Sequence, residues 1–207
     1  SQALSLTGKY NLSNSGFGIV AGARQLTIKR STLNINPAQG DLVTTPDSGI
    51  GYMAGVSYER PDIALKVLLT QSPGIDIVVP TTVVGSGTVS QPSFTTLEFE
   101  TGIANNTLLF GSMHQGEHAS AQVKLNGIGA ISSFTDGEKY NIGVGRKFND
   151  SLSGSISYTT EAGSSATGTS LLSPTNGTDT YALGINYSTE SVDIAFGYAM
   201  SSFGDKA

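Results

Sequence analysis

Two histidines bracket a glutamate in His114-Gln115-Gly116-Glu117-His118, which has the H-x-x-E-H spacing of certain zinc peptidases. That chemistry needs a helix, which would bring both imidazoles and the carboxylate to one metal. Gly116 and the two-residue rhythm around it predict strand instead. In a strand His114 and His118 share a face but stand about 13 Å apart, at roughly 3.3 Å per residue. An ion bound about 2 Å from each nitrogen cannot bridge that gap, so a polar extension of the strand is the reading that fits. Gly49-x-Gly51-x-x-Ala54 copies the spacing of a dinucleotide fingerprint, yet it opens a strand rather than leading from strand to helix. With no cysteine and only those two histidines, a nucleophile with its base is poorly supplied. No enzyme, metal or cofactor is predicted.

The bulk composition points to alternation rather than a dense core. Of 207 residues, 13% are charged, 38% are hydrophobic and 26 are glycine, with no tryptophan; soluble domains carry about 25% charged residues. The net charge of −5 gives no basic footprint for nucleic acid. No run approaches the 18 or more apolar residues of a spanning helix, and Ser1-Gln2-Ala3 does not begin a charged leader.

The elements that position these residues are strands. The last hairpin is the clearest: Tyr181, Leu183, Ile185 and Tyr187 alternate with Ala182, Gly184, Asn186 and Ser188. After Thr189-Glu190-Ser191, Val192, Ile194, Phe196, Tyr198 and Met200 alternate with Asp193, Ala195, Gly197 and Ala199. One face is oily and the other small or polar. The same rhythm runs through Leu4 to Tyr10, Phe17 to Ala23, Ile50 to Tyr58, Ile63 to Leu69, Leu97 to Phe99, Leu108 and Phe110 toward Leu125, Tyr140 to Val144, and Leu152 to Tyr158. A parity slip to Leu26 and Ile28 predicts a bulge near Arg24 or Gln25. In the connection 71–92, Ile75 to Val79 is expected to extend its strand beyond a membrane.

Ten strands result, joined by alternately short and long connections, with Tyr10, Phe17, Tyr58, Phe148 and Tyr187 beside the short turns. Strands of about 9 to 11 residues, brief turns on one side, long loops on the other and an aromatic girdle describe a transmembrane antiparallel up-and-down β-barrel of the bacterial outer membrane. A soluble sandwich or adhesin repeat would also alternate, but would not sort its loops by length so regularly. With the short turns periplasmic, both ends of the chain fall outside, whereas single-chain barrels keep their termini in the periplasm. Residues 1–207 are therefore expected to be part of one larger barrel domain, with at least one strand absent at each end.

The stretch Thr96-Leu97-Glu98-Phe99-Glu100-Thr101-Gly102-Ile103-Ala104-Asn105-Asn106-Thr107-Leu108-Leu109-Phe110-Gly111-Ser112 resembles the FadL-type outer-membrane long-chain fatty acid transporters. Ser132-Ser133-Phe134-Thr135-Asp136-Gly137, Gly143-Val144-Gly145-Arg146-Lys147-Phe148-Asn149, Ser173-Pro174-Thr175-Asn176-Gly177 and the closing hairpin continue the likeness, which covers the chain from about Tyr52 onward. The resemblance implies a fourteen-stranded barrel plugged by an N-terminal hatch, with hydrophobic ligands bound inside and released through the wall. The hatch and first strands have no counterpart in these residues, and Met113 to His118 lacks the tryptophan that related sequences often carry there.

The function that this resemblance implies is passive transport of long-chain fatty acids or similar hydrophobic compounds, with membrane lipids and hydrophobic small molecules as partners. The alternative is a structural or partner-binding outer-membrane barrel whose long loops carry the interaction. Alternation turns Lys9, Arg24, Glu59 and Lys66 inward. A fatty acid carboxylate needs a cationic partner, which makes Arg24 and Lys66 candidate ligand contacts, with Met53 and Leu68 as their apolar inward neighbours. Inward charges in barrels also commonly just solvate the lumen or pair with a plug, the more ordinary reading. The inward glycines, Gly22, Gly55, Gly143, Gly145, Gly184 and Gly197, mark either close approach of another backbone or ligand, or bends in the wall.

Overall fold

A strand with one apolar and one polar face cannot bury itself alone, and this chain resolves the problem by pairing strands that are neighbours in sequence. The computed structural model describes residues 1–13, 15–36, 40–82, 84–163 and 176–204. Its first eight strands are β1 (Gln2–Asn11), β2 (Phe17–Ile28), β3 (Thr32–Asn36), β4 (Gly40–Val43), β5 (Asp47–Arg60), β6 (Leu65–Ser72), β7 (Ile75–Thr81) and β8 (Gly85–Gln91). The second eight are β9 (Phe94–Ala104), β10 (Thr107–Gly116), β11 (Lys124–Leu125), β12 (Gly129–Ala130), β13 (Gly137–Lys147), β14 (Leu152–Glu161), β15 (Thr178–Ser188) and β16 (Asp193–Phe203). Ten of them form one antiparallel sheet in the order β1-β2-β5-β6-β9-β10-β13-β14-β15-β16, an up-and-down wall whose edges are β1 and β16.

The short connections of this wall are 12–16, 61–64, 105–106, 148–151 and 189–192, and the long ones are 29–46, 73–93, 117–136 and 162–177. Short and long alternate as expected, so all tight turns lie at one end of the wall. In the two-residue turn between β9 and β10, Asn106 sits at φ 59, a left-handed conformation that Asn tolerates better than most residues. At the turn after β13 the Asn149 Oδ1 accepts the backbone N–H groups of Ser151 and Leu152 at 2.9 and 2.8 Å. Asn14 of the first turn, residues 164–175 of the last long connection, and with them Ser173-Pro174-Thr175, lie outside the described residues.

The outer face is apolar along the whole wall. Leu183 and Ile185 are each 41% exposed, Ile194 56% and Phe196 58%, values incompatible with the packed middle of a sandwich. Tyr10, Phe17, Phe148 and Tyr187 are also exposed beside the short turns, and the Phe17 and Tyr58 rings meet at 4.7 Å. Among the described residues no helix is long and apolar enough to cross a membrane, so any crossing they make is by strands.

The packed apolar cluster among the described residues lies against the inner face. Ile75, Ile77 and Val79 of β7 are buried, with Leu26, Ile28 and Val89 packed against them. Their partners are two facing glycines of β5: a Cβ at Gly51 would stand 2.4 Å from Ile75 Cδ1, and one at Gly49 would stand 2.7 Å from Ile75 Cγ2. β7 pairs with β8, β8 with β11, and β11 with β12, so two long connections share one four-stranded sheet. A bridge between Thr44 and Thr81 ties the β3–β4 hairpin to it.

This packing corrects three expectations. Ile75 to Val79 does not prolong β6 outward; it starts a separate hairpin that folds back over the inner wall. The parity slip at Leu26 and Ile28 is not a bulge, because β2 keeps an unbroken register with both β1 and β5. Leu26 and Ile28 simply face inward, where the hairpin covers them. The strand after Leu108 stops at Gly116, and Leu125 belongs to the loop sheet.

Candidate lumenal binding face

In an antiparallel register, residues directly opposite one another share a face, so the inner wall is read as rows across the strands. One row runs Ser57, Leu68, Glu98, Ser112, Asn141, Thr159, Thr180, Ser201 from β5 to β16. It is almost entirely hydrogen-bonding: Asn141 Nδ2 donates to Thr159 Oγ1 at 2.7 Å, and the Thr180 and Ser201 hydroxyls meet at 2.8 Å. Beside it runs Glu59, Lys66, Glu100, Phe110, Gly143, Ser157, Ala182, Ala199.

The charged end of this second row is self-neutralising. Lys66 Nζ pairs with Glu100 Oε1 at 2.5 Å, and Lys9 reaches across from β1 to pair with Glu59. Phe110 lies over Gly143, where a Cβ would stand 2.4 Å from the ring. An aromatic that covers a glycine in this way stiffens a curved sheet. Gly22 and Gly55 are tight for another reason: a Cβ there would meet Leu6 O at 2.8 Å and Leu69 O at 2.4 Å, the backbones of adjacent strands. For these three the strands themselves, and not a ligand, are the close neighbours. At Gly197 a Cβ would meet nothing within 4 Å.

All four predicted ligand contacts face inward, but in two places. Arg24 and Met53 line a small cavity under the β7–β8 hairpin with Gly51, Ile75 and Gln91. Arg24 Nε donates to Ser5 Oγ at 3.3 Å, and among the described residues no carboxylate pairs with it. Lys66 and Leu68 line a separate cavity of about 470 Å³ with Ser57, Glu98 and Phe110. A still larger hollow of about 720 Å³ lies nearer the short turns, lined by Gly102, Gly145, Ser155, Gly184 and Asn186.

Sequence reasoning does not single out Glu98, Glu100 or Ser57 as contacts. Glu98 and Glu100 are visible as the polar partners of Leu97 and Phe99; the burial of Ser57 is not, because it depends on what β2 places beside it. The histidines also sit differently than expected. β10 ends at Gly116 and His118 begins a 3₁₀ turn, so both rings come back to Phe94, His114 stacked at 4.8 Å and His118 edge-on at 5.8 Å. His114 Nδ1 is also 2.9 Å from Thr96 Oγ1.

No protein-family model matches the chain, and no curated protein does. Solved structures do. The crystal structure of a Pseudomonas aeruginosa FadL homologue superposes with a TM-score of 0.66 at 14% identity, over 96% of this chain and 59% of that one. The CymD monoaromatic hydrocarbon channel gives 0.58 at 11% identity over 95% and 67%. A mutant TodX monoaromatic hydrocarbon channel gives 0.60 at 12% over 94% and 63%. The chain thus spans 59 to 67% of the length of these proteins. Its fold is that of their barrel wall: an antiparallel, up-and-down, FadL-like β-barrel wall of ten strands.

Proposed function

We propose that this chain forms part of the wall of a bacterial outer-membrane barrel, within a single barrel domain, through whose interior hydrophobic compounds diffuse. The observation that supports it most is the sorting of the two faces: apolar side chains stay exposed along the outside of the wall, while the inside carries mainly small, hydrogen-bonding and charged ones, with apolar residues where the β7–β8 hairpin packs. In hydrocarbon the outer face is favourable rather than costly, since apolar surface leaves water at about 25 cal/mol per Å². A paired backbone also lets strands cross a bilayer without unsatisfied polar groups.

Long-chain fatty acids are the substrate that the sequence resemblance implies, and the hydrocarbons named for two similar channels are the other class. For a fatty acid, Arg24 is the better carboxylate partner, with Met53 against the chain, because the Lys66 charge is already met by Glu100. Leu68 and Lys66 then contribute contact rather than charge. The test is entry of a long-chain fatty acid and of a monoaromatic hydrocarbon into vesicles reconstituted with the full protein. Acceleration of either over protein-free vesicles is expected; acceleration of neither would overturn the proposal. The joining of three long connections, two through one sheet and the third by the Thr44–Thr81 bridge, favours, as a second reading, a loop surface that binds a partner. Full protein that captures a partner yet speeds no entry would select it.

A further inference from the structure

Toward the long connections, the outward face of the wall changes from apolar to polar, and it does so differently in its two halves. On β1, β2 and β5 the outward rows are Leu6, Ala23 and Tyr52, then Leu4, Gln25 and Ile50, then Gln2, Thr27 and Ser48, with Lys29 and Arg30 directly beyond. Leu4, Leu6, Ile50 and Tyr52 are exposed, and so are both cations. Gln25 to Lys29 is about 13 Å of strand, so apolar surface gives way to hydroxyl and amide groups and then to positive charge within that span. Neither Lys29 nor Arg30 has an ion-pair partner among the described residues. Asp47, opposite Ile28, occupies an inward position, and its Oδ1 accepts the Ser48 backbone N–H at 2.7 Å.

From β10 to β16 the corresponding rim is acidic and already satisfied. Met113, Tyr140, Thr160, Asp179 and Ser202 form one outward row, with Gln115 and Glu138 beyond it. Tyr158 Oη donates to Asp179 Oδ1 at 2.5 Å, Tyr140 Oη donates to Glu138 Oε2 at 2.6 Å, and Gln115 Nε2 reaches Glu138 Oε1 at 3.5 Å. Lys139, the cation of this region, occupies an inward position opposite Glu161. An anionic headgroup is repelled from this rim and attracted to the one at Lys29 and Arg30.

From this contrast we infer that the outward face of β1, β2 and β5, at its long-connection end, docks an outer-leaflet lipid that carries phosphate on its headgroup. Acyl chains lie along Leu4, Leu6, Ile50 and Tyr52. Headgroup hydroxyls or amides meet Gln2, Thr27 and Ser48, and the phosphate pairs with Lys29 and Arg30, where charge-assisted hydrogen bonds are the strong ones. This docking requires the outer face to stand in the outer membrane with the short turns on the periplasmic side. It does not depend on what crosses the interior.

The test offers the full protein, in phosphatidylcholine nanodiscs, diphosphorylated lipid A, the same lipid with both phosphates removed, or inorganic phosphate. Native mass spectrometry of protein released from the discs gives the fraction carrying each. Lipid A is expected to bind about thirty-fold more tightly than its dephosphorylated form, at the usual worth of two cations beside an anionic lipid surface. Lys29→Gln together with Arg30→Gln should remove that difference, and Lys29→Arg together with Arg30→Lys should keep it. Glu138→Gln and Asp179→Asn, on the other rim, should leave it unchanged. Equal binding of the two lipids, or a difference that survives the Lys29→Gln and Arg30→Gln pair, overturns the docking surface. Inorganic phosphate held by Lys29 and Arg30 as tightly as lipid A overturns it too, in favour of a free anion. Entry of hydrophobic compounds into vesicles should be the same with and without these substitutions, so failure of the docking leaves the passage standing.

Discussion

The two halves of the inner wall are built differently although their outer faces are alike. From β1 to β9 the inner face carries Lys9, Arg24, Glu59, Lys66, Glu98 and Glu100, and the β7–β8 hairpin packs onto it through Ile75 and Ile77. From β14 to β16 the same face shows Ser153, Ser155, Ser157, Thr159, Thr180, Ala182, Gly184, Asn186, Ala195, Gly197, Ala199 and Ser201, with its charges, Glu161 and Asp193, at the strand ends. On the first side the hairpin is held by apolar packing of Ile75 and Ile77 over Gly49 and Gly51, with the ion pairs of Lys9 and Lys66 elsewhere on that side. Small neutral side chains on the second side leave room. The difference teaches that this inner surface has a packed side and an open side, and the cavity lined by Ser57 belongs to the packed one, with no lining residue from β14 to β16.

The comparison breaks first at the hairpin. Ile77→Ala removes a side chain that is 2% exposed, and large-to-small changes in packed clusters cost about 2–5 kcal/mol. The expected outcome is fast hydrogen exchange across 75–91 with the β14–β16 amides unchanged; protection retained at 75–91 would mean that the hairpin is not held by this cluster. The outer faces should show no such asymmetry. Val56→Arg and Leu183→Arg, one in each half, should each destabilise the folded protein in lipid by about 2–4 kcal/mol by denaturant titration. A cost near zero for either would take that position out of the hydrocarbon.

Next in size is a pair of glycines. Gly51→Val must displace Ile75, and overpacking of this kind costs about 1–3 kcal/mol. Gly197→Ala meets nothing within 4 Å and should leave the denaturation midpoint where it is. Equal effects of the two would erase the distinction between packed and open sides. The smallest effect belongs to the charges. Glu100→Gln breaks the pair with Lys66, whose side chains are 36% and 62% exposed, so a barely measurable fall in the denaturation midpoint, erased by added salt, is the expected outcome.

Much of this wall is legible in the sequence because period two and turn length are local properties. Leu183, Ile185, Ile194 and Phe196 declare their face without reference to any other strand. Leu26 and Ile28 mislead for an instructive reason: a rule that sends apolar residues outside turns an inward apolar pair into a bulge. Only the position of Ile75 and Ile77 tells that the inside is greasy at that spot, and Gly49 and Gly51 give way to them. The inward direction of the charged residues follows from parity, but the split of Arg24 and Met53 from Lys66 and Leu68 is set by which strands neighbour which. The buried hydroxyl of Ser57 depends on Gly18, 39 positions earlier in the chain, a pairing that no single strand reveals.

The absence of cysteine makes the orientation of the wall directly measurable, since each introduced thiol is the sole label site within these residues. Nitroxides placed one at a time along 182–185 and 194–197 of the full protein in lipid bilayers should alternate in relaxation. Positions 183, 185, 194 and 196 should respond to oxygen dissolved in the lipid, and positions 182, 184, 195 and 197 to a water-soluble nickel chelate. The reverse alternation, or equal access of the nickel chelate to both sets, would contradict an outer face turned to hydrocarbon.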